Sequence, residues 1–224
     1  MGGVAPGVDE GGVFDAVELA SSYRSTLEGE SVTVRRTLEV TYRDGTVRRW
    51  NETAVFGPDR ERTYTVRRAG SVIRERWTNG SHVAERVVEE GTVAFRSVRR
   101  SNGFDRVTVE RVYERSLPGL FASLERSRVE RGDERGGLQR YRVTGRFGPL
   151  FEADTPMGLD PEAGALRIIV DERGFVPEYA LAYEAVGQDG TSVTVFERVE
   201  HADIGTSGAA RPPWVDAVNG SRTG

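Results

Sequence analysis

Hydrophobic and polar residues alternate through much of this chain. Between residues 31 and 42, Val32, Val34, Leu38, Val40 and Tyr42 share one side of an extended segment, and Thr33, Arg35, Thr37, Glu39 and Thr41 share the other. That period of two marks a half-buried strand. Turn signals follow at Asp44-Gly45, Gly57-Pro58, Ala69-Gly70, Asn79-Gly80, Glu90-Gly91 and Asn102-Gly103, every 10 to 13 residues. Asn-Gly and Asp-Gly adopt the positive φ that two-residue hairpin loops require. The spacing predicts strands over 31–42, 46–56, 61–68, 71–78, 82–89, 92–99 and 105–114, joined as an antiparallel meander. Strands resume over 138–147, 165–171, 175–187 and 190–201.

Two stretches follow the helical period instead. Val17, Ala20, Tyr23 and Leu27 make one apolar stripe over 15–27, with Asp15 placed to cap the start and Gly29 the end. Leu117, Leu120, Phe121 and Leu124 make another over 116–128, with Pro118 where a helix start tolerates it. A polar stretch, 130–137, follows, and 148–164 reads as a loop because it holds Pro149, Pro156 and Pro161. The glycine-rich residues 1–12 read as a flexible tether, 13–214 as a single domain and 215–224 as a disordered tail. A sheet of about eleven strands is too wide to stay flat and open. The expected fold is therefore α+β: a large curved antiparallel sheet, a half-barrel, with two helices covering its concave face.

Composition narrows the picture. The 224 residues suffice for a substantial core. Basic and acidic residues number 31 and 35, and the net charge of −4 argues against nucleic acid as a partner, since phosphate binding needs a basic footprint. Every basic residue apart from two histidines is Arg. An acidic balance without Lys points to a salt-adapted source. With no Cys, disulfides, thiolate catalysis and Cys-ligated metals are excluded. No apolar run reaches the roughly 18 residues of a membrane-spanning helix, and residues 1–12 lack the basic and apolar regions of a signal peptide.

The order of elements resembles the LolA/LppX-like lipoprotein-carrier fold, and in particular a family of haloarchaeal surface lipoproteins of uncharacterised function. Near the start, Ala5-Pro6-Gly7-Val8, the 15–27 helix and Gly29-Glu30-Ser31-Val32-Thr33 carry the resemblance. Near the end it rests on Val170-Asp171-Glu172-Arg173-Gly174, on Tyr179 to Tyr183, on Asp203-Ile204-Gly205 and on Pro213-Trp214. The resemblance implies a half-barrel with helices plugging its concave side, an extracytoplasmic location at the cell surface, and a hydrophobic cargo. The family carries an N-terminal lipobox Cys. This chain has none, so membrane association would come only through a lipid anchor outside this sequence.

No catalytic or metal-binding signature stands out. His82 and His201 are far apart in sequence and lack a nearby acid at ligand or triad spacing. The acidic pairs Glu89-Glu90, Asp133-Glu134 and Asp171-Glu172 fall at turns, and neighbours in a strand point to opposite faces. No phosphate loop, nucleophile elbow, EF-hand or dinucleotide fingerprint is present. The pairs Arg35-Arg36, Arg48-Arg49, Arg67-Arg68 and Arg99-Arg100 each send one guanidinium to either face. They either pair with cross-strand Glu or form an anion-tolerant patch at a cavity mouth.

Trp50, Phe56, Tyr64, Trp77, Phe95, Tyr113, Leu117, Leu120, Phe121 and Leu124 are the candidate lining of a hydrophobic cavity; the same residues could equally fill a core. Three of the four Asn, at Asn51, Asn79 and Asn219, sit in glycosylation sequons, although Asn79-Gly80 is also a good hairpin turn. The expected function is a non-enzymatic, extracytoplasmic binding or carrier domain for a lipid or other hydrophobic ligand, without a cofactor. It requires an apolar cavity of several hundred Å3 beneath the helices. The alternative is a structural or interaction protein of the cell envelope with a filled interior.

Overall fold

A computed structural model describes residues 3–80, 82–99, 118–147, 160–187 and 190–220. Strands β3 (Val32–Tyr42), β4 (Val47–Phe56), β5 (Arg62–Ala69), β6 (Val72–Asn79), β7 (His82–Glu89) and β8 (Thr92–Arg99) follow one another as hairpins. After helix α2 (118–122) come β9 (Leu124–Arg135), β10 (Leu138–Phe147), β11 (Asp160–Asp171), β12 (Glu178–Val186) and β13 (Ser192–Ala202). These eleven strands form one sheet in the order β8-β7-β6-β5-β4-β3-β13-β12-β11-β10-β9. Every register determined in it is antiparallel. The sheet stays open, because β8 and β9 each have a strand neighbour on one side only. A separate two-stranded hairpin, β1 (Val8–Asp9) and β2 (Gly12–Val13), and helices α1 (Ala16–Leu27) and α3 (Trp214–Gly220) complete the described residues.

The chain divides into two compact units. The first draws on Met1–Thr26, Leu38–Arg48 and Val107–Glu200; the second on Leu27–Thr37, Arg49–Arg106 and His201–Gly224.

In the first unit, strict alternation builds one apolar face. Val143, Ile168, Tyr179 and Val199 lie in one row across β10 to β13, and Tyr183 stands opposite both Gly164 and Val195. All of these side chains are buried. Gly164 sits where a Cβ would lie 2.4 Å from the Ala182 carbonyl and 2.6 Å from the Phe147 ring, so only glycine lets Phe147 pack edge-on against Tyr183. The opposite face carries Glu178, which binds Arg167 at 2.6 Å and Arg198 at 2.9 Å. Charge outside and hydrocarbon inside is the pattern that fixes strand register.

Asp171 locks the β11–β12 turn. Its buried carboxylate accepts hydrogen bonds from the Arg173 and Phe175 amides at 3.0 and 3.1 Å and from the Arg173 guanidinium at 2.8 Å. The turn then stacks Phe175 on Tyr23 of α1, with ring centroids 5.8 Å apart. Asp15 Oδ1 caps α1 by accepting from the Val17 and Glu18 amides at 3.0 and 2.9 Å. The stripe of α1 that is buried runs through Leu19, Ala20, Tyr23 and Leu27, whereas Val17 is 73% exposed. In the second unit, Arg60 donates to the carbonyls of Leu27 at 2.9 Å and Glu30 at 2.8 Å. The Leu27 carbonyl is one that a helix end leaves without an intrahelical donor.

Several expectations need correction. Within the described residues the helix expected over 116–128 runs only over 118–122, and the polar stretch beyond it belongs to β9 up to Arg135. Leu, Glu and Arg favour helices, but pairing with β10 overrides that preference and sets Glu130 opposite Arg142, 3.7 Å away. The segment read as a loop over 148–164 is strand from Asp160, bent by a bulge between Pro161 and Ala163; residues 148–159 lie outside the described residues. The strand predicted over 105–114 also lies outside them. The tether over 1–12 is folded in its described part: Val8 is fully buried, and the Gly7 carbonyl accepts from Phe14 and Asp15. A side chain at Gly7 would meet the Asp15 carbonyl at 2.2 Å. The expected disordered tail begins with a helix, α3, whose Val215 and Val218 are buried.

Replacing Asp171 by Ala leaves the buried Phe175 amide and the part-buried Arg173 amide without this acceptor and should cost about 1–3 kcal/mol in urea unfolding. Arg173→Ala, which removes only a half-exposed guanidinium, should cost under about 1 kcal/mol. Equal losses would show that the turn does not depend on the carboxylate.

Candidate functional site

Strand parity decides which candidate residues can meet. In the second unit, Val55 pairs with Tyr64, Tyr64 with Trp77, and Trp77 with Ala84. They form one row on one face. On the same face, Val66, Glu75, Arg86 and Phe95 form a second row, and Arg68, Ile73, Val88 and Val93 a third. Phe56 pairs with Thr63 and Trp50 with Ala69, which places both aromatics on the opposite face. Of the ten residues proposed as one cavity lining, five thus fall on two opposite faces of these strands. Tyr64, Trp77 and Phe95 share a face, Trp50 and Phe56 share the other, and Leu120, Phe121 and Leu124 belong to the first unit. Leu120 and Phe121 are buried and Leu124 lies half-buried on β9 against Gly145. Tyr113 and Leu117 lie outside the described residues.

The Tyr64 face is the one that α3 covers. Val215 packs into a cluster with Trp77 and Ala84, flanked by Tyr64 and Trp214. Arg211 lies over the Trp77 ring, 5.7 Å from its centroid, and pairs with Asp216 of α3. Beyond the helix the apolar surface continues to the sheet edge, where Val93 and Phe95 are 43% and 44% exposed. Among the described residues, the indole Nε1 of Trp77 is buried without a hydrogen-bond acceptor. Buried donors are rarely left so.

A polar network is set into this apolar face. The Tyr64 hydroxyl donates to Glu75 Oε1 at 2.6 Å, and Arg86 Nη1 donates to Glu75 Oε2 at 2.5 Å. Burial, and then the hydrogen bond and charge of Glu75, push the Tyr64 phenol up to about 12; the Trp214 indole and the Arg86 charge oppose this only in part.

Two clefts formed by described residues lie away from this face. One of about 270 Å3 is lined at strand ends by Thr41, Tyr42, Arg43, Glu184, Val186 and Thr194 among others. One of about 370 Å3 surrounds the β7–β8 turn at Glu89 and Glu90. Both are polar at the rim, and neither lies beneath a described helix. The described members of the Arg pairs have separate surroundings. Arg35 reaches Asp203 at 3.4 Å, Arg36 is half-buried, Arg48 lies over Tyr42, and Arg67 faces Arg74 across the strands. The side chain of Arg99, and Arg100, lie outside the described residues.

Asn51 is exposed in mid-strand, where its side-chain oxygen accepts from Thr37 at 3.2 Å. Asn79 is exposed at the end of β6. The side chain of Asn219, and the hydroxyl residues Ser81 and Ser221 of two sequons, lie outside the described residues. His82 is exposed and His201 buried, and among the described residues no three potential metal ligands converge. No described helix is long and apolar enough to cross a membrane.

No family model matches the chain, and no curated protein matches it. Solved structures do. The lipoprotein LppX of Mycobacterium tuberculosis matches at 7% identity, over 85% of this chain and 96% of its own, with a TM-score of 0.43. LprF of Mycobacterium bovis matches at 12% identity, over 88% and 96%, with a TM-score of 0.49. A LolA-superfamily protein of Nitrosomonas europaea matches at 8% identity, over 90% and 96%, with a TM-score of 0.31.

Glu75, Ala84, Arg86, Arg211, Val215 and Asp216 escaped the sequence reading. The usable signal was Trp214-Val215 followed by Val218, apolar at helical spacing, directly after Pro212-Pro213.

The Tyr64 network predicts an alkaline effect. Tyr64 holds its proton more tightly when folded than when unfolded. Its contribution is therefore complete below pH 10 and is lost as pH rises from 10 towards 12. With no Lys and no Cys, tyrosines are the side chains that titrate in that window. Urea midpoints measured from pH 9 to 11.5 should fall more steeply for the natural chain than for Tyr64→Phe, by at most about tenfold in the unfolding constant per pH unit. Parallel curves would contradict the shift.

Proposed function

We propose that this chain is a non-enzymatic binding or carrier domain for a hydrophobic or amphipathic ligand such as a lipid, acting outside the cytoplasm at the cell surface. One observation carries this reading. An apolar face crossing β5 to β8 is covered by a helix of only seven residues and remains exposed at Val93 and Phe95. Isolated helices need about 12–15 residues to be stable in water, so α3 owes its form to the surface it covers. An aromatic, mostly apolar surface with a few placed polar groups is the composition of a ligand site. The location rests on the sequons, two of which present exposed Asn side chains at Asn51 and Asn79. Attachment to a membrane would come through a lipid anchor.

A second reading has its own support. The apolar face of the first unit is filled by its own side chains, with Val143, Ile168, Val170 and Phe147 almost wholly buried. A packed envelope protein working through its outer surface would look the same there.

Native mass spectrometry of protein purified from its own membrane fraction separates the two. A carrier should show adducts of several hundred daltons that organic extraction removes. An adduct-free spectrum favours the packed protein. In the same material, Asn51→Gln should lower the mass by one glycan; an unchanged mass apart from the substitution would remove the main support for the location.

A further inference from the structure

The geometry points to α3 as a built-in occupant of the ligand seat: it covers a site on β6 and β7 for a single-chain amphiphile with an anionic head. This inference rests on the carrier reading and assigns it a place and a ligand class.

Each part of the covering segment has a counterpart in such a ligand. Val215 supplies hydrocarbon against Trp77 and Ala84. Asp216 supplies a carboxylate to Arg211, whose guanidinium lies over the Trp77 ring. The segment does not complete the site. Trp77 is 6% exposed, and its Nε1 has no acceptor among the described residues, although an indole N–H buried in a finished core usually has one. A ligand carboxylate or phosphate could take the place of Asp216 on Arg211 and bring a further oxygen to the Trp77 donor. Its chain would then replace Val215 on the sheet and run towards the exposed Phe95. The Asp216 side chain is 74% exposed, so its present ion pair is largely hydrated and easily exchanged.

Covering a site in this way lowers ligand affinity by the fraction of molecules in which the cover is off, and loosening the cover restores it. The test uses the full chain and isothermal titration with dodecanoate, dodecyl phosphate and dodecyltrimethylammonium below their micellar concentrations. Asp216→Asn, at an exposed position, should bind both anions several-fold more tightly than the natural chain and leave the cation unchanged. Because the chain has no Cys, the double variant Ala84→Cys/Val215→Cys can staple α3 to β7. Its oxidised form should bind the anions at least tenfold more weakly than its reduced form. Equal binding by the oxidised and reduced staple would overturn the seat and leave the carrier reading standing, with the ligand bound elsewhere. Equal binding of cation and anions would overturn the anionic head. If the natural chain, Asp216→Asn and the reduced staple all bind none of the three, the carrier reading falls and this inference with it.

Discussion

Each strand sends successive side chains to opposite faces, and each hairpin fixes which residue of the next strand stands opposite. Everything else in this protein follows from those two constraints. The pairing of Val55 with Tyr64 puts Tyr64 and Trp77 in one row and sends Phe56 to the other side. A slip of one residue would reverse every strand's faces. The register is held by burial in the first unit, where valine and tyrosine rows cross β10 to β13, and by ion pairs on the reverse face around Glu178. The same constraint makes Gly164 necessary, because the Phe147 and Tyr183 rings converge over its position.

The second unit solves the burial problem differently. Its Tyr64 face is too apolar to leave open and too wide for one short helix to cover. It is also interrupted by Glu75, held between Tyr64 and Arg86. A carboxylate in such a place is tolerated because both its oxygens are bonded; losing either donor would leave charge facing hydrocarbon. The face is thus apolar with a fixed polar point, which suits an amphipathic partner better than a pure hydrocarbon.

The ends of the described chain are structural. Residues before α1 form a hairpin anchored by the buried Val8, and Trp214 to Gly220 form α3. In both, glycine and proline set the backbone path while a few hydrophobic side chains hold it. Composition alone concealed this, because glycine-rich and polar stretches read as flexible wherever the sparse apolar residues inside them have no visible partner.

The sequence by itself determined most of the strands. Alternation together with Asp-Gly and Asn-Gly turns located β3 to β8 to within a residue or so at each end, because hairpin formation depends on local backbone preference. It also located α1 and its Asp15 cap, since capping is decided within one helical turn. Tertiary structure decided the rest. β9 is a strand because β10 pairs with it, against its helix-favouring composition. Val17 is exposed and Leu19 buried because the segments packed on α1, around Gly7 and Phe175, and not the helical pattern, choose the buried stripe. The candidate aromatics separate onto two faces because parity across a strand pair depends on register, which no single strand encodes. The seat under α3 joins residues from 64 to 216, brought together only when the sheet forms. Local sequence sets the shape of each element; the rows that cross elements, and so the site, exist only in their pairing.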